Sequence, residues 1–493
     1  MKRRRFVEVL GKGAAGCAFL RSFSSFFPPA SIWAEEGSLP NVILFNVDDL
    51  GWTDLSCYGS RYYETPNIDR LAAQGTWFTD AYASCAVCSP SRASLMTGRY
   101  PARIGITDWI HHLDREAYTA LGTGLPPSEY VGDSSRRLLC PPNPYWMELD
   151  ELTIAEHLKT AGYTTCHIGK WHLGFRPWFP DRQGFDINIG GCEIGQPPTY
   201  FDPYYQNERR SSIPTLKPRR PGEHLTEREA EEAEKFILDH TEQPFFLNMW
   251  FYAVHTPIEG PEELVAKYRR KKPANQKCPE YAALVESVDR AVGRIVAALE
   301  RTGKRHSTLI IFTSDNGGLK REYATDNAPL RSGKGYPYEG GIRVPLIISW
   351  PGKIKGGAEC REPVTSVDIF PTLCSACGLE YPVERTIDGE NLWPLLHGRT
   401  LLKRVSIFWH FPHYREPDIV PYSIIRKGKW KLIKRYEGKQ YELFNLEEDL
   451  EEKVDLAGSK PEKVRELERE LSAWLKETQA RMPKENPGYS PKH

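Results

Sequence analysis

Asn41-Val-Ile-Leu-Phe-Asn-Val-Asp-Asp-Leu-Gly51 is an apolar run that ends abruptly on two carboxylates. A run without polar alternation reads as a strand covered on both faces, because a half-wet strand shows a polar residue at every second position. Thr164–Ile168, Phe245–Tyr252, Thr308–Ser314 and Val344–Ser349 read the same way. Helical patterns lie between them. Thr153 with Glu156 forms a capping box that opens a helix over Ile154–Ala161, and Gly162 stops it. Leu284, Val285, Val288, Val292, Ile295, Val296 and Leu299 make a stripe of helical period. Apolar strands alternating with amphipathic helices predict an α/β fold, a large, mostly parallel sheet sandwiched by helices. After about Gly398 the texture changes. Val405–Trp409, Tyr422–Ile425, Trp430–Lys434 and Tyr441–Phe444 read as short strands with a tight turn at Lys427-Gly428. A helix over Pro461–Gln479 follows, with Val464, Leu467, Leu471 and Leu475 on one side. This predicts a smaller C-terminal antiparallel sheet plus a helix. Segments 112–146 and 196–223, rich in Pro, Gly and Arg, read as surface insertions.

The chain has 493 residues, with 65 Lys plus Arg against 65 Asp plus Glu and no net charge. Hydrophobic residues are 40% and charged residues 26%, which excludes collagen, coiled coil and bulk disorder. Neutrality argues against a nucleic-acid binder that works by phosphate neutralisation. No stretch beyond residue 40 approaches about 18 uninterrupted apolar residues, so no transmembrane span is expected. Residues 1–34 begin Lys2-Arg-Arg-Arg-Phe6, continue through a weakly apolar middle and close on Ile32-Trp33-Ala34. That order is an export signal, and Arg3-Arg4-x-Phe6 resembles its twin-arginine form. Of 11 Cys, Cys17 falls in that segment. The spacing of the others is not that of a disulfide scaffold. Cys374-x-x-Cys377 has no second pair to complete a zinc site and lies in an apolar helical stretch, so both read as inert core thiols.

Asp48 and Asp49 directly follow the first strand, and Asp315-Asn316 directly follow another, in Thr313-Ser-Asp-Asn-Gly-Gly318. Ligands of open parallel sheets sit beyond the carboxyl ends of the strands. Clustered oxygens without a soft partner suit Ca²⁺ or Mg²⁺. Cys88-Ser-Pro-Ser-Arg92-Ala-Ser-Leu-Met-Thr-Gly98 places Pro90 in the first turn of a helix and Gly98 at its exit. Cys88 then stands at a helix N-terminus, where backbone N–H groups favour an anion, with Arg92 one turn on. A structural cysteine at a cap and a nucleophile beside an oxyanion ester are equally compatible with these residues alone.

The segment resembles the Cys-x-Pro-x-Arg formylglycine motif of type I sulfatases, followed by its Thr-Gly. The remaining motifs of that family follow in order over about residues 39–455. Asp48 and Asp49 match its first metal pair, Gly169-Lys170-Trp171-His172-Leu173-Gly174 its Lys-x-His motif, and Val254-His255-Thr256-Pro257 its second histidine. Asp315 and Asn316 match the second metal pair, and Lys334 in Leu330-Arg-Ser-Gly-Lys-Gly335 the last lysine. The resemblance implies an alkaline phosphatase-like fold, with a catalytic domain over 38–400 and a C-terminal subdomain over 401–493. It implies a sulfuric ester hydrolase in which Cys88 becomes formylglycine, so a formylglycine-generating enzyme is an expected partner. Asp48, Asp49, Cys88, Asp315 and Asn316 are the implied contacts of one Ca²⁺ (or Mg²⁺). Cys88, Arg92, Lys170, His172, His255 and Lys334 are the implied catalytic residues. Asp315 is implied to help deprotonate the attacking hydroxyl, His255 with Lys334 to protonate the departing alcohol, and His172 with Lys170 to support the second step.

Gly105-Ile-Thr-Asp-Trp109-Ile-His-His112 is similar to segments of bacterial sulfatases acting on sulfated galactose or N-acetylgalactosamine. Asp108, His111 and His112 are candidates for sugar hydroxyls, and equally for ordinary loop residues. A sulfated carbohydrate is therefore the expected substrate of a bacterial enzyme exported to the periplasm or beyond, with the export machinery as a further partner. Two alternatives stand beside this reading: a phosphomonoester or phosphonate hydrolase of the same superfamily, and an exported glycan-binding protein without turnover.

Overall fold

The computed structural model describes residues 39–110, 129–206, 212–320, 324–398, 402–415 and 418–490. The expected export signal at 1–34, together with His111 and His112, lies outside the described residues. The central sheet has eight strands: β1 (Asn41–Val47), β2 (Thr76–Phe78), β3 (Thr164–Gly169), β4 (Ile187–Ile189), β5 (Phe245–Phe251), β6 (Thr308–Ser314), β7 (Leu346–Ser349) and β8 (Ala358–Cys360). Their order is β8-β2-β7-β6-β1-β5-β3-β4. β4, β3, β5, β1 and β6 are parallel neighbours, whereas β7 runs against both β6 and β2. The five apolar runs read from the sequence are β1, β3, β5, β6 and β7. β7 starts only at Leu346, because Pro345 has no N–H to give the ladder. The short strands β2, β4 and β8 carry no legible pattern; three residues are too few to show a period.

Alternation along β1 feeds two cores. Ile43, Phe45 and Val47 pack with helices α1 (Pro66–Ala73), α4 (Leu225–Asp239) and α5 (Pro279–Arg301). Val42 and Leu44 pack with α2 (Cys88–Thr97), α3 (Ile154–Lys159) and α6 (Ile369–Ala376). The capping box at Thr153 is present, with the Glu156 N–H donating to its hydroxyl and the Glu156 carboxylate accepting from its N–H. Every member of the α5 stripe is buried, each contributing about 1.5–3 kcal/mol of apolar burial. Cys374 and Cys377 are buried in and just after α6, and burial pushes the Cys377 thiol up to about 12. The ten described cysteines are unpaired. No described helix is long and apolar enough to cross a membrane.

The C-terminal region forms an antiparallel sheet in chain order, β9 (Ser406–Phe411), β10 (Tyr422–Lys427), β11 (Trp430–Arg435) and β12 (Tyr441–Asn445), followed by α7 (Pro461–Glu477). Gly428 makes the β10–β11 turn in the left-handed region, φ 55°. One face of this sheet, through Ile425, Leu432 and Leu443, packs on Val464, Leu467 and Leu471 of α7. The other face, through Ile407, Trp409, Ile424 and Phe444, packs on Tyr82, Ala86, Val87, Tyr338 and Ile342. The second sheet thus closes over the entry to α2.

Candidate active site

β1 and β6 lie side by side and end level, Val47 opposite Ser314. The acidic pairs that follow them therefore open at one spot, and Asp48, Asp49 and Asp315 each place a buried carboxylate oxygen within 4.8 Å of the others. Asp48 still belongs to the ladder, its N–H donating to Ala253 O at 2.9 Å. At Asp49 the chain turns left-handed, φ 62°, an unfavourable conformation for a side-chain-bearing residue. That turn breaks strand alternation, so consecutive carboxylates reach one cluster. Asn316 Nδ2 donates to Asp49 Oδ1 at 2.8 Å. Gly317 is required next, because a Cβ there would lie 1.9 Å from Gly340 O.

Cations close the cluster. Arg92 Nε donates to Asp315 Oδ2 at 2.8 Å, its Nη1 to Lys170 O at 2.9 Å, and its Nη2 lies 3.4 Å from Asp48 Oδ1. Lys170 Nζ is 2.7 Å from Asp48 Oδ2, and Lys334 Nζ is 2.7 Å from Asp49 Oδ1. His255 Nε2 stands 3.5 Å from Asp49 Oδ2. Cys88 is the first residue of α2, preceded by extended Val87, and Arg92 follows four residues later on the same face. The cysteine thus lies one helical turn before the residue that binds Asp315. His172 comes from the other side, its Nε2 2.8 Å from Ile110 O, and Gly195 packs so closely that a Cβ would meet the ring at 2.6 Å. Of the residues expected from the sequence, Asp48, Asp49, Asp315, Asn316, Arg92, Lys170, Lys334 and His255 meet in this one contact network.

Exposure divides them into a floor and a mouth. The side chains of Arg92, Lys170, Asp48, Asp49 and Asp315 are fully buried, whereas Lys334 is 6% and His255 13% exposed. Burial pushes the Asp48 carboxyl well up, and the nearby Asp315 and Asp49 add to it against the pull of Lys170 and Arg92. Burial also works to raise Asp49, but Lys334, His255 and Lys170 outweigh it and hold the group below its ordinary range. Asp315 is held down likewise, by Arg92 and Lys170 against burial. Burial, with Lys334, lowers His255 to about 3, and burial with Lys170 pushes His172 well down. Both imidazoles are neutral at pH 7.

The donor set fits a hard divalent cation. Asn316 Oδ1 is buried with no hydrogen-bond donor, and Asp48 Oδ1 has only the distant Arg92 guanidinium. A cation at the three carboxylates would satisfy both oxygens and remove the cost of keeping the acids together out of water.

Two groups in this neighbourhood were not legible as site residues. Thr107 Oγ1 is 2.7 Å from His413 Nε2, which fastens the loop after α2 to the C-terminal region. Arg415 packs on Gly335, whose Cβ would lie 3.1 Å from the Arg415 Cδ and Nε atoms. No sequence signal couples Thr107 to His413, 306 residues on, or Gly335 to Arg415.

A carboxylate cluster at the ends of parallel strands, cupped by buried cations below a helix N-terminus, defines a metal-dependent hydrolase of oxyanion esters. A family model described as Sulfatase matches residues 40–379, and one described as N-sulphoglucosamine sulphohydrolase, C-terminal, matches residues 333–481. A sulfatase of Formosa agariphila is 32% identical, covering 88% of each chain. The N-acetylgalactosamine-6-sulfatase of Sus scrofa is 37% identical over 75% of this chain and 68% of its own. Among solved structures, Ps i-CgsB in complex with k-i-k-neocarrahexaose superposes with a TM-score of 0.74 at 29% identity, over 92% of this chain and 95% of that one. The chain belongs to the sulfatase family, and its fold is that of the alkaline phosphatase-like sulfatases. It is a sulfuric ester hydrolase.

Proposed function

We propose that this chain removes sulfate from a sulfated glycan of galactose or N-acetylgalactosamine type, with Cys88 converted to formylglycine and one Ca²⁺ held by Asp48, Asp49, Asp315 and Asn316. The observation that carries the reading is Cys88 at the start of α2, one turn before the Arg92 that binds Asp315 in a cluster of three carboxylates whose donor set suits a cation. Formylglycine would supply a hydrated aldehyde at position 88, a nucleophile with a second hydroxyl able to expel sulfate. The cation would neutralise sulfate oxygens. The chain's own residues do the rest. Arg92 is fixed by Asp315, Asp48 and Lys170 O, so its charge is held one helical turn from position 88 without reorganisation. Asp315, held ionised, can accept the proton of an attacking hydroxyl there. Lys334 stays charged because Asp49, Cys88 and Asp48 together outweigh its burial, and with His255 it stands at the mouth, where a departing alcohol must leave. Lys170 and His172 lie deeper, on the side of the sulfate.

The test is sulfate release from a panel of sulfated mono- and disaccharides. The chain is co-expressed with a formylglycine-generating enzyme, matching phosphate esters are included, and the mass of the Cys88 peptide is read in parallel. One sugar isomer should be turned over, and phosphate esters should not. Chelation should abolish release and Ca²⁺ should restore it. At about 1,000 times its Kd the ion adds about 4 kcal/mol of stability, so a calorimetric scan with and without Ca²⁺ reads binding independently.

The chain is further proposed to be exported to the periplasm or beyond, supported by the basic start and Arg3-Arg4-x-Phe6. Replacing Arg3 and Arg4 by Lys should leave the protein inside the cell, as fractionation would show; unchanged export would dismiss the twin-arginine route.

A further inference from the structure

The segment after the catalytic helix presents a carboxylate that the hydrolytic machinery does not use. Asp108 is nine-tenths buried, and its backbone is pinned by one side chain. Asn143 Oδ1 accepts from the N–H groups of Thr107 at 3.0 Å and Asp108 at 3.1 Å, while its Nδ2 donates to Asp108 O at 3.1 Å and Trp109 O at 3.3 Å. The Thr107–His413 contact ties the same loop to the second sheet's region. The Asp108 carboxylate accepts from Trp109 N at 2.8 Å through Oδ1. The same loop meets the start of α2, where Ile110 N donates to Ser89 Oγ at 2.9 Å, one residue after Cys88. Arg415 arrives from the opposite wall. It packs on Gly335, next to Lys334, and Gly335 N donates to Ala86 O at 2.8 Å, two residues before Cys88. Among the described residues no carboxylate lies within salt-bridge distance of Arg415. Arg415 nevertheless acts on both Asp108 and Lys334. Trp109 adds a half-buried indole, its ring 6.4 Å from that of His172.

An acceptor and a forked donor thus stand on two segments that meet the chain on either side of Cys88, one bonded to Ser89 and the other packed on the Gly335 that bonds Ala86. A buried carboxylate beside an incoming sulfate ester would repel a second anionic substituent and welcome a hydroxyl that donates to it. Burial raises the Asp108 carboxyl to about 7, a cost that a donated hydroxyl hydrogen would relieve. We infer that Asp108 and Arg415 are the specificity-determining pair of this sulfatase, gripping a free hydroxyl on the sugar ring next to the sulfated carbon. Asp108 takes that hydroxyl's hydrogen bond and Arg415 donates to ring substituent oxygens. The inference rests on the glycan reading above and narrows it to sugars whose neighbouring position is unsulfated.

The experiment compares kcat/KM of the matured parent, Asp108→Asn and Arg415→Met on three substrates: the preferred sulfated sugar, its analogue deoxygenated at the neighbouring position, and 4-nitrophenyl sulfate. A site built around a buried polar group rejects the analogue that lacks the partner hydroxyl by large factors. The parent should prefer the hydroxylated sugar over its deoxy analogue by about 100-fold or more. Asp108→Asn should lower the ratio of sugar to aryl sulfate kcat/KM by about 100-fold and erase the preference over the deoxy analogue. Arg415→Met should lower the same ratio. Equal losses on sugar and aryl sulfate, or an intact deoxy preference in Asp108→Asn, would overturn the assignment while leaving the glycan reading in place. A parent that cleaves the aryl sulfate but no sulfated sugar would instead overturn the glycan reading, and this inference with it. Asn keeps the shape of Asp, and Arg415→Met probes the pair from a separate segment, so misfolding of one variant leaves the other to decide.

Discussion

Cys88→Ala should release no measurable sulfate, a loss of more than about 10⁴-fold, with the fold intact. The side chain is small and buried, so its truncation costs little stability. Its removal takes away the group that must bond to sulfur, and nothing else in the pocket can replace it. Lys170 is committed to Asp48 and Lys334 to Asp49, and the hydroxyl of Ser91 is engaged with Cys85. The substrate should still bind, because the cations and the metal site remain. Cys88→Ser separates attack from release. A single hydroxyl can attack sulfur and let the alcohol go, but it has no second hydroxyl with which to expel sulfate. One alcohol per chain should appear in a burst, with the sulfate retained on the introduced hydroxyl and visible as added mass. Steady turnover by Cys88→Ser would contradict the proposed two-hydroxyl nucleophile.

Lys431→Met should destabilise the protein by about 3–5 kcal/mol, the largest effect expected from any substitution outside the pocket. Lys431 is fully buried on β11 and lies 2.9 Å from Glu339 Oε1 and 2.8 Å from Glu452 Oε1. Glu339 also bonds Tyr82 Oη and Arg343 Nε, and its backbone N–H donates to Glu452 Oε2 at 2.7 Å. Removing the ammonium leaves two carboxylates facing each other out of water. Burial, and the charge of Glu339, raise the Glu452 carboxyl to about 7, even with Lys431 partly offsetting them. The sign follows. A carboxyl raised from about 4.5 to about 7 favours folding below its unfolded value, and that favour is lost as pH rises through about 7. The parent should therefore lose stability from this group between about pH 5 and pH 8, and Lys431→Met should lose more. Denaturant unfolding at the two ends of that range reads both. Glu452→Gln added to Lys431→Met should recover part of the loss, because it removes one of the stranded charges. An unchanged midpoint in Lys431→Met would show that the network contributes little.

The sequence carried the floor of the site better than its walls. Asp48, Asp49 and Asp315 were legible because each pair directly follows an unbroken apolar run, and parallel strands deliver their carboxyl ends to one edge. Arg92 was legible because it stands one helical turn beyond Cys88. Lys170, His172, His255 and Lys334 have no such local logic. They sit in loops fixed by neighbours far away, and only the family motifs pointed to them. Arg415 and the Lys431–Glu339–Glu452 network were missed for a related reason. Their partners come from other segments, and a single charged residue in a short strand reads as a wet one. The short strands β2, β4 and β8 failed at the other extreme, being shorter than two full pattern repeats. The C-terminal sheet was legible because its strands alternate cleanly: Ile424 faces one core and Ile425 the other.

All ten residues of α2 are buried, and Cys88 keeps 4% of its surface. The sheet β9 to β12 covers the entry to that helix, and its chain leaves the ribosome more than 300 residues after Cys88. Chronology follows from this. If Cys88 is converted as proposed, a modifying enzyme would have access to it while the chain beyond residue 400 is still unmade or undocked. Once Ile407, Trp409 and Phe444 settle on Ala86 and Val87, the backbone leading into Cys88 is covered. Faster closure of the sheet would shorten that interval, so a stabilised variant would emerge as a sturdier protein with a smaller converted fraction.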